Sequence, residues 1–292
     1  MDYQERPPPP ELARHVQCLW HLRDPEPTGD PQTIYPDGRC ELIVHLGEPM
    51  RRYTLAQGWR TQRPHLFAAQ HRTAIRLLAT SAVDCVGVRL TAAASSALAG
   101  PRLPSLADDI VELESLDSAF ATAFASTARD FSNSGDPNAL WELLTVRFRT
   151  MRLDSLIEAG VAALDASDGR TTVQALARQL GMGVRSFQTR FLSSVGLPPK
   201  EYARVRRLQA TIRQLDATPA SLADVAVKVG FADQAHATRE LRNLTGLTPA
   251  RLRRALVAAR EGDATLRMAA AFVRGGANAT EVIKGEKGDG VI

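Results

Sequence analysis

From residue 172 to about 254 the apolar positions recur at helical spacing, and they do so twice. In the first stretch Leu176, Leu180, Val184, Phe187 and Phe191 fall on one side. In the second, Leu222, Val225, Val229, Leu241 and Leu244 do the same. Ala177 and Gly181 lie 49 residues before Ala226 and Gly230. Phe191, Gly196, Leu197 and Pro199 lie 50 residues before Leu241, Gly246, Leu247 and Pro249. One extra residue in the second turn accounts for the slip. A repeat at this period is one supersecondary unit used twice, and each copy has the pattern of a helix-turn-helix. Thr172 starts the first copy as a helix cap, and Gly181 closes its first helix. Ser221 and Asp224 form a capping pair for the second copy, and Gly230 stops that helix. Between the copies, residues 200–215 predict one long helix with Val205, Leu208, Ile212 and Leu215 on a single side.

The first ninety residues have a different rhythm. Short apolar runs alternate with turn residues, and they predict strands over 15–22, 40–46, 51–57, 65–70, 74–80 and 84–90. Pro7 to Pro10 make an extended lead-in. Tyr35-Pro36-Asp37-Gly38 predicts a turn feeding the strand around Leu42, Ile43 and Val44. After residue 91 alanine and leucine take helical spacing as far as 152, with breaks at Gly100-Pro101 and over 132–137. Asp136 before Pro137 predicts a helix start, and Leu140, Leu143, Leu144 and Phe148 supply its stripe. A further helix is expected over 154–164. Past 254 the last helix continues through Ala259, with another piece over 264–273 and a disordered tail from Gly275.

The expected fold class is therefore α+β. A small β-barrel or sandwich (strands 15–90) with appended helices (91–150) fills residues 1–150. An all-α domain with two helix-turn-helix motifs joined by a long helix fills 151–260, and 261–292 is tail. Charge sharpens the division. The whole chain carries +4. Residues 170–260 hold 16 Lys and Arg against 5 Asp and Glu, a net +11, so the remainder carries −7. A basic helical region suggests a polyanion partner. The acidic stretch 108–117 reads as a solvated face, or as a docking surface for the basic half. Cysteines number three, widely spaced, which argues against a disulfide framework or zinc site. No apolar run is long enough to span a bilayer, and MDYQERPPPP lacks the order of a secretory signal, so cytoplasm is expected.

A DNA-reading helix needs one buried face and one exposed polar face. Arg185, Gln188 and Thr189 oppose the apolar side of the first copy, flanked by Ser186 and Arg190. Gln234, His236, Thr238 and Arg239 oppose it in the second. Gln suits adenine and Arg suits guanine in the major groove. Arg204, Arg206, Arg242, Arg251 and Arg253 suit phosphates, as does Arg190. The segments FQTRFLSSVGLPPKEYARVRRLQA and GFADQAHATRELRNLTGLTPARLRR resemble the DNA-binding domain of the AraC/XylS family of bacterial transcriptional regulators. The resemblance covers roughly 156–256. It implies two units on successive major-groove segments, with Arg185, Gln188, Thr189, Gln234, His236 and Arg239 as base readers. Thr189 stands where that family often has arginine. Ala237 stands where an aromatic is usual and Leu241 where phenylalanine is frequent, which thins the second core. Leu19-Trp20, the 35–38 turn with Glu41-Leu42-Ile43, and Val86-Gly87-Val88-Arg89-Leu90 resemble the sensor region of some of these regulators. That resemblance implies a cupin-related barrel with a ligand or dimerisation role.

The expected partners are double-stranded DNA, RNA polymerase, a small-molecule effector and a second copy, with no membrane. No cofactor or metal is expected, because His45, His65 and His71 lack ligand spacing. Trp20, Tyr35, Trp59 and Phe67, with Leu42 and Val44, could line an apolar pocket or simply form core, and core is the simpler reading. Arg39, Arg76 and Arg89 could meet an anion, although strand arginines are usually solvated. No P-loop, HExxH or GxSxG pattern marks an enzyme. A barrel enzyme fused to a DNA-binding domain and a helical protein-interaction module remain the alternatives.

Overall fold

The computed structural model describes residues 1–217 and 220–260. The helix expected over 264–273 and the tail over 261–292 lie outside the described residues. Ten strands form two antiparallel sheets. These are β1 (Asp2–Arg6), β2 (Val16–Asp24), β3 (Gln32–Ile34), β4 (Glu41–His45), β5 (Arg51–Thr54), β6 (Gly58–Thr61), β7 (His65–Ala68), β8 (Ile75–Leu78), β9 (Val83–Leu90) and β10 (Ile110–Glu112). The larger sheet runs β1-β2-β9-β4-β7-β10 and the smaller runs β3-β8-β5-β6. Four of the ten strands, β1, β3, β6 and β10, have no counterpart among the sequence expectations. All four are sheet edges. An edge strand is half-paired and can stay short and polar, so it carries no apolar pattern to read.

The helices are α1 (Ser96–Ala99), α2 (Ser118–Ser134), α3 (Asn138–Phe148), α4 (Ser155–Ala166), α5 (Val173–Gln179), α6 (Val184–Val195), α7 (Pro199–Ala217), α8 (Leu222–Val229), α9 (Gln234–Thr245) and α10 (Pro249–Arg260). The six-stranded sheet is covered on both faces. On one side Leu19, Leu42, Phe67, Val86 and Val88 pack with Phe124, Leu140 and Phe148 from α2 and α3. On the other, Trp20, Leu22 and Cys85 meet Leu77 of the smaller sheet. Double coverage explains why β9 is apolar on nearly every position rather than alternating. Gly87 pairs with Trp20 across the sheet, and a Cβ there would lie 2.1 Å from the indole. The small residue makes room for the large one.

These clusters separate the four residues that could have lined a pocket, in line with the simpler core reading for three of them. Phe67 is on the helix side, Trp20 on the sandwich side, and Tyr35 in a third cluster with α7 to α9. Trp59 packs edgewise on Tyr53, under the guanidinium of Arg76. Trp20, Tyr35 and Phe67 are core residues of different layers, and Trp59 is half-buried outside them. Of the three arginines that could meet an anion, Arg76 is exposed, whereas Arg39 and Arg89 are enclosed. Arg89 is 1% exposed, 2.8 Å from Glu41, 3.0 Å from Glu5 and 3.6 Å from Asp37. Burial pushes the Glu41 carboxyl up to about 7, with Arg89 pulling the other way. Three carboxylates around one buried cation make Arg89 an internal anchor rather than an anion receptor.

His45 is buried with its Nδ1 3.0 Å from Cys85 Sγ, and burial lowers its pKa to about 4. All three cysteines are buried and unpaired. Among the described residues no three His, Cys, Asp or Glu side chains gather as a metal site would require. The acidic stretch docks mainly on the β half itself. Asp108 meets Arg72 at 3.2 Å, Glu112 meets Arg63 at 2.8 Å, and Glu114 meets His65 at 2.5 Å. Among the described residues only Arg72 passes the contact on, to Glu201 of α7 at 3.0 Å.

Candidate nucleic-acid interface

Each reading unit is built from local signals. The Thr172 side chain accepts from Ala175 N at 3.1 Å and opens α5. Ser221 Oγ accepts from Asp224 N at 3.2 Å and opens α8, while donating to the Asp224 carboxylate at 2.6 Å. Both satisfy an amide that the helix leaves unpaired. Gly181 and Gly230 take positive φ at the ends of the first helices. From each glycine the chain turns into the second helix, through two residues to α6 and three to α9. The extra residue is Asp233, whose carboxylate accepts from His236 N at 2.6 Å and caps α9.

On α6, Phe187, Phe191 and Val195 are buried at spacings of four. Arg185, Gln188, Thr189 and Arg190 are exposed. On α9, Ala237, Leu241, Leu244 and Thr245 are buried, and Gln234, Arg239 and Arg242 are exposed. His236 departs from expectation. Its ring is half-buried, lies edge-on to Phe231 at 5.5 Å, and accepts from Ala232 N at 3.5 Å. At the first turn of α9 it folds back onto the connecting loop.

The phosphate candidates divide sharply. Arg242 and Arg251 are exposed and have no acidic partner among the described residues. Arg190 is 44% exposed but held by Asp154 at 2.6 Å. Arg204 pairs with Glu240 at 2.7 Å and ties α7 to α9. Arg253 donates to Ala220 O and buttresses the start of α8. Arg206 is a correction. Its side chain is 10% exposed, 2.9 Å from Asp165, with Nη1 donating to Asp37 O at 3.1 Å. Helix α7 presents Arg206 to the β half, so it cannot reach a phosphate in this arrangement. Asp165, Tyr202 and Glu240 complete these contacts and carried no sequence signal, since their partners lie 36 to 163 positions away.

Residues 176–255 match a family model described as a helix-turn-helix domain, HTH_18. The chain carries an AraC-type helix-turn-helix domain. Within it, 76 residues are 33% identical to the HTH-type transcriptional regulator ExsA of Pseudomonas aeruginosa. That match covers 26% of this chain and 27% of ExsA. The virulence regulon transcriptional activator VirF of Yersinia enterocolitica is 31% identical over 77 residues, covering 26% and 28%. The chain thus matches about a quarter of the length of these curated relatives. Ahead of the AraC-type domain, residues 4–112 match a domain of unknown function, DUF6597. Among solved structures, ToxT from Vibrio cholerae is similar at 10% identity and a TM-score of 0.44, covering 87% of this chain and 98% of ToxT.

Two surface cavities lie on the β half, outside the AraC-type domain. One groove of about 630 Å³ runs between the edge strands β6 and β10 and is lined by Arg52, Arg60 and Arg63 with Asp108 and Glu112. The other, about 190 Å³, lies beside His21, Arg23 and Ser132. There His21 Nε2 meets Asp84 at 2.8 Å and Ser132 Oγ at 3.5 Å. One ring nitrogen faces both partners, so no proton relay passes through the ring to the serine. Neither cavity is lined by Trp20, Tyr35, Trp59 or Phe67.

Proposed function

We propose that the protein is a sequence-specific, double-stranded DNA-binding transcriptional regulator. The observation that carries this is the pair of exposed polar helix faces, α6 and α9, mounted on one linking helix. Helix α7 has 19 residues, roughly 28 Å at 1.5 Å per residue. Successive major-groove segments are about 34 Å apart, so the linker is of the right length to serve both. Arg185, Gln188 and Thr189 read bases from the first unit, and Gln234 and Arg239 from the second. Arg242 and Arg251 hold phosphates, with Arg190 available once released from Asp154. In this reading the β half senses a small molecule or pairs with a second copy, and the working compartment is the cytoplasm. The activator description of VirF favours activation through contact with RNA polymerase.

The test is binding to genomic promoter fragments across salt concentrations. Affinity should fall linearly with salt on logarithmic axes. One fragment class should bind roughly a thousandfold more tightly than random duplex. Equal affinity for every sequence, or no binding at low salt, overturns the proposal.

A further inference from the structure

The two reading units are equivalent in fold and unequal in core. At matching places of the repeat the first has Phe187 and Phe191, the second Ala237 and Leu241. The phenylalanine rings meet each other at 5.5 Å, and Phe191 meets Tyr202 of α7 at 5.6 Å. The second unit has no phenylalanine on α9; its own buried ring is Phe231 in the turn, with His236 edge-on to it at 5.5 Å. Its buried cluster contains Leu208, Ile212, Val229, Ala237 and Leu241, that one aromatic of its own, and a second aromatic from the β half. The second aromatic is Tyr35, 5% exposed, from the turn after β3.

The turn around Tyr35 is seated on α7 at every residue. Pro36 O accepts from Gln209 Nε2 at 2.6 Å, and Asp37 O accepts from Arg206 Nη1 at 3.1 Å. Gly38 lies so close to the Tyr202 ring that a Cβ would come within 2.8 Å of it. Arg39 donates to the Tyr202 hydroxyl at 2.6 Å and to Asp165 at 2.8 Å. Next to it, Ile34 pairs with Ile75 across β3 and β8. Ala74 N then donates to Leu244 O of α9 at 2.7 Å. So the end of the β3–β8 ribbon packs into the second unit and hydrogen-bonds the last turn of its recognition helix.

We infer that the 35–39 turn is a working part of the second reading unit, with Tyr35 as the positioning residue that adds, beside Phe231, an aromatic ring its own helices lack and sets where α9 sits. The first unit contains its aromatic core and does not depend on Tyr35. The turn is also tethered to the β half, because Asp37 lies 3.6 Å from the buried Arg89. A change in the β core that moves Asp37 is therefore passed to the turn that carries Tyr35. The DNA-reading consequence rests on the function proposed above; the packing consequence does not.

The experiment compares the full wild-type chain with Tyr35→Ala, Tyr35→Phe and Gln209→Ala. Amide hydrogen exchange is measured without DNA, and nuclease footprints are taken on a bound promoter fragment. Among the described residues the Tyr35 hydroxyl has no hydrogen-bond partner, which makes the ring the active part, so Tyr35→Phe should behave as wild type. Tyr35→Ala should speed exchange in 222–256 by roughly tenfold or more while 173–196 stays within about twofold. Gln209→Ala should move the same segment less. In the footprint, protection over the second half-site should fade and the first should remain. Unaltered exchange in both variants, or a rise shared equally by both units in both, overturns the inference. Selective exchange with no DNA binding by the wild-type chain sinks only the DNA-reading proposal.

Discussion

Arg206 and Arg242 carry the same charge on the same helical domain and differ in their surroundings. Arg242 stands exposed on α9, while Arg206 is enclosed by Asp165 and Asp37. An exposed cation is free to displace counterions from a phosphate; one already neutralised has nothing to exchange. Arg242→Ala should therefore weaken binding to all duplexes alike and lower the salt slope by about 1. Arg206→Ala should leave the slope unchanged and lower the melting temperature. A salt titration of both variants on one fragment decides between these roles. Both arginines sit in a basic helical stretch, and the spacing alone gives them equal claims. Only the fold turns one inward.

Among elements, the recognition helices show how much local chemistry suffices. Each ends on a glycine at positive φ, Gly196 at 88° and Gly246 at 74°. The two glycines differ in what surrounds them. A Cβ at Gly196 would come within 2.9 Å of Leu103, whereas at Gly246 nothing lies within 4 Å. Gly246→Ala should cost about 1 kcal/mol, the price of a left-handed residue with a side chain. Gly196→Ala should cost roughly 2–4 kcal/mol, because packing strain against Leu103 is added. Urea unfolding of the two variants measures the difference. Helix boundaries were legible to within a residue or two where a cap and a glycine bracket an apolar stripe, as with Thr172 and Gly181. Asp136 also holds its expected place beside a helix start, accepting from Asn138 N at 3.0 Å. The edge strands β1, β3, β6 and β10 were not legible, since half-paired backbone imposes no pattern on side chains.

At the scale of the whole molecule, the two halves are joined by polar groups out of water. Arg39 contacts Gln17 of β2, Asp165 of α4 and Tyr202 of α7. Its side chain is only 12% exposed. Burial alone would pull its pKa down, yet Tyr202, Asp165 and Asp37 together hold it well above the usual value, so the charge persists. Arg39→Ala leaves Asp165 and the Tyr202 hydroxyl short of a partner. It should cost about 2–3 kcal/mol, less than a fully buried pair because Arg206 still reaches Asp165. Arg39→Lys should recover little of that, since one ammonium cannot span three acceptors set out for a planar fork. Denaturant midpoints for the two variants would check both statements.

The amino-acid sequence by itself determined the two helix-turn-helix units, the linking helix, and the polar faces of α6 and α9. These follow from neighbours a few positions apart: caps, glycines and the helical period. It also carried the α+β division, through a change of period near residue 91 and the excess of positive charge after 170. The tertiary structure alone decided which arginines stay available, that His236 folds onto Phe231, and that the presumed pocket aromatics belong to separate layers. It alone seated the 35–39 turn on α7. Most of those outcomes depend on partners tens to more than a hundred positions apart, from Arg204 and Glu240 at 36 to Gln209 and Pro36 at 173, whose meeting is set by packing apolar surfaces together.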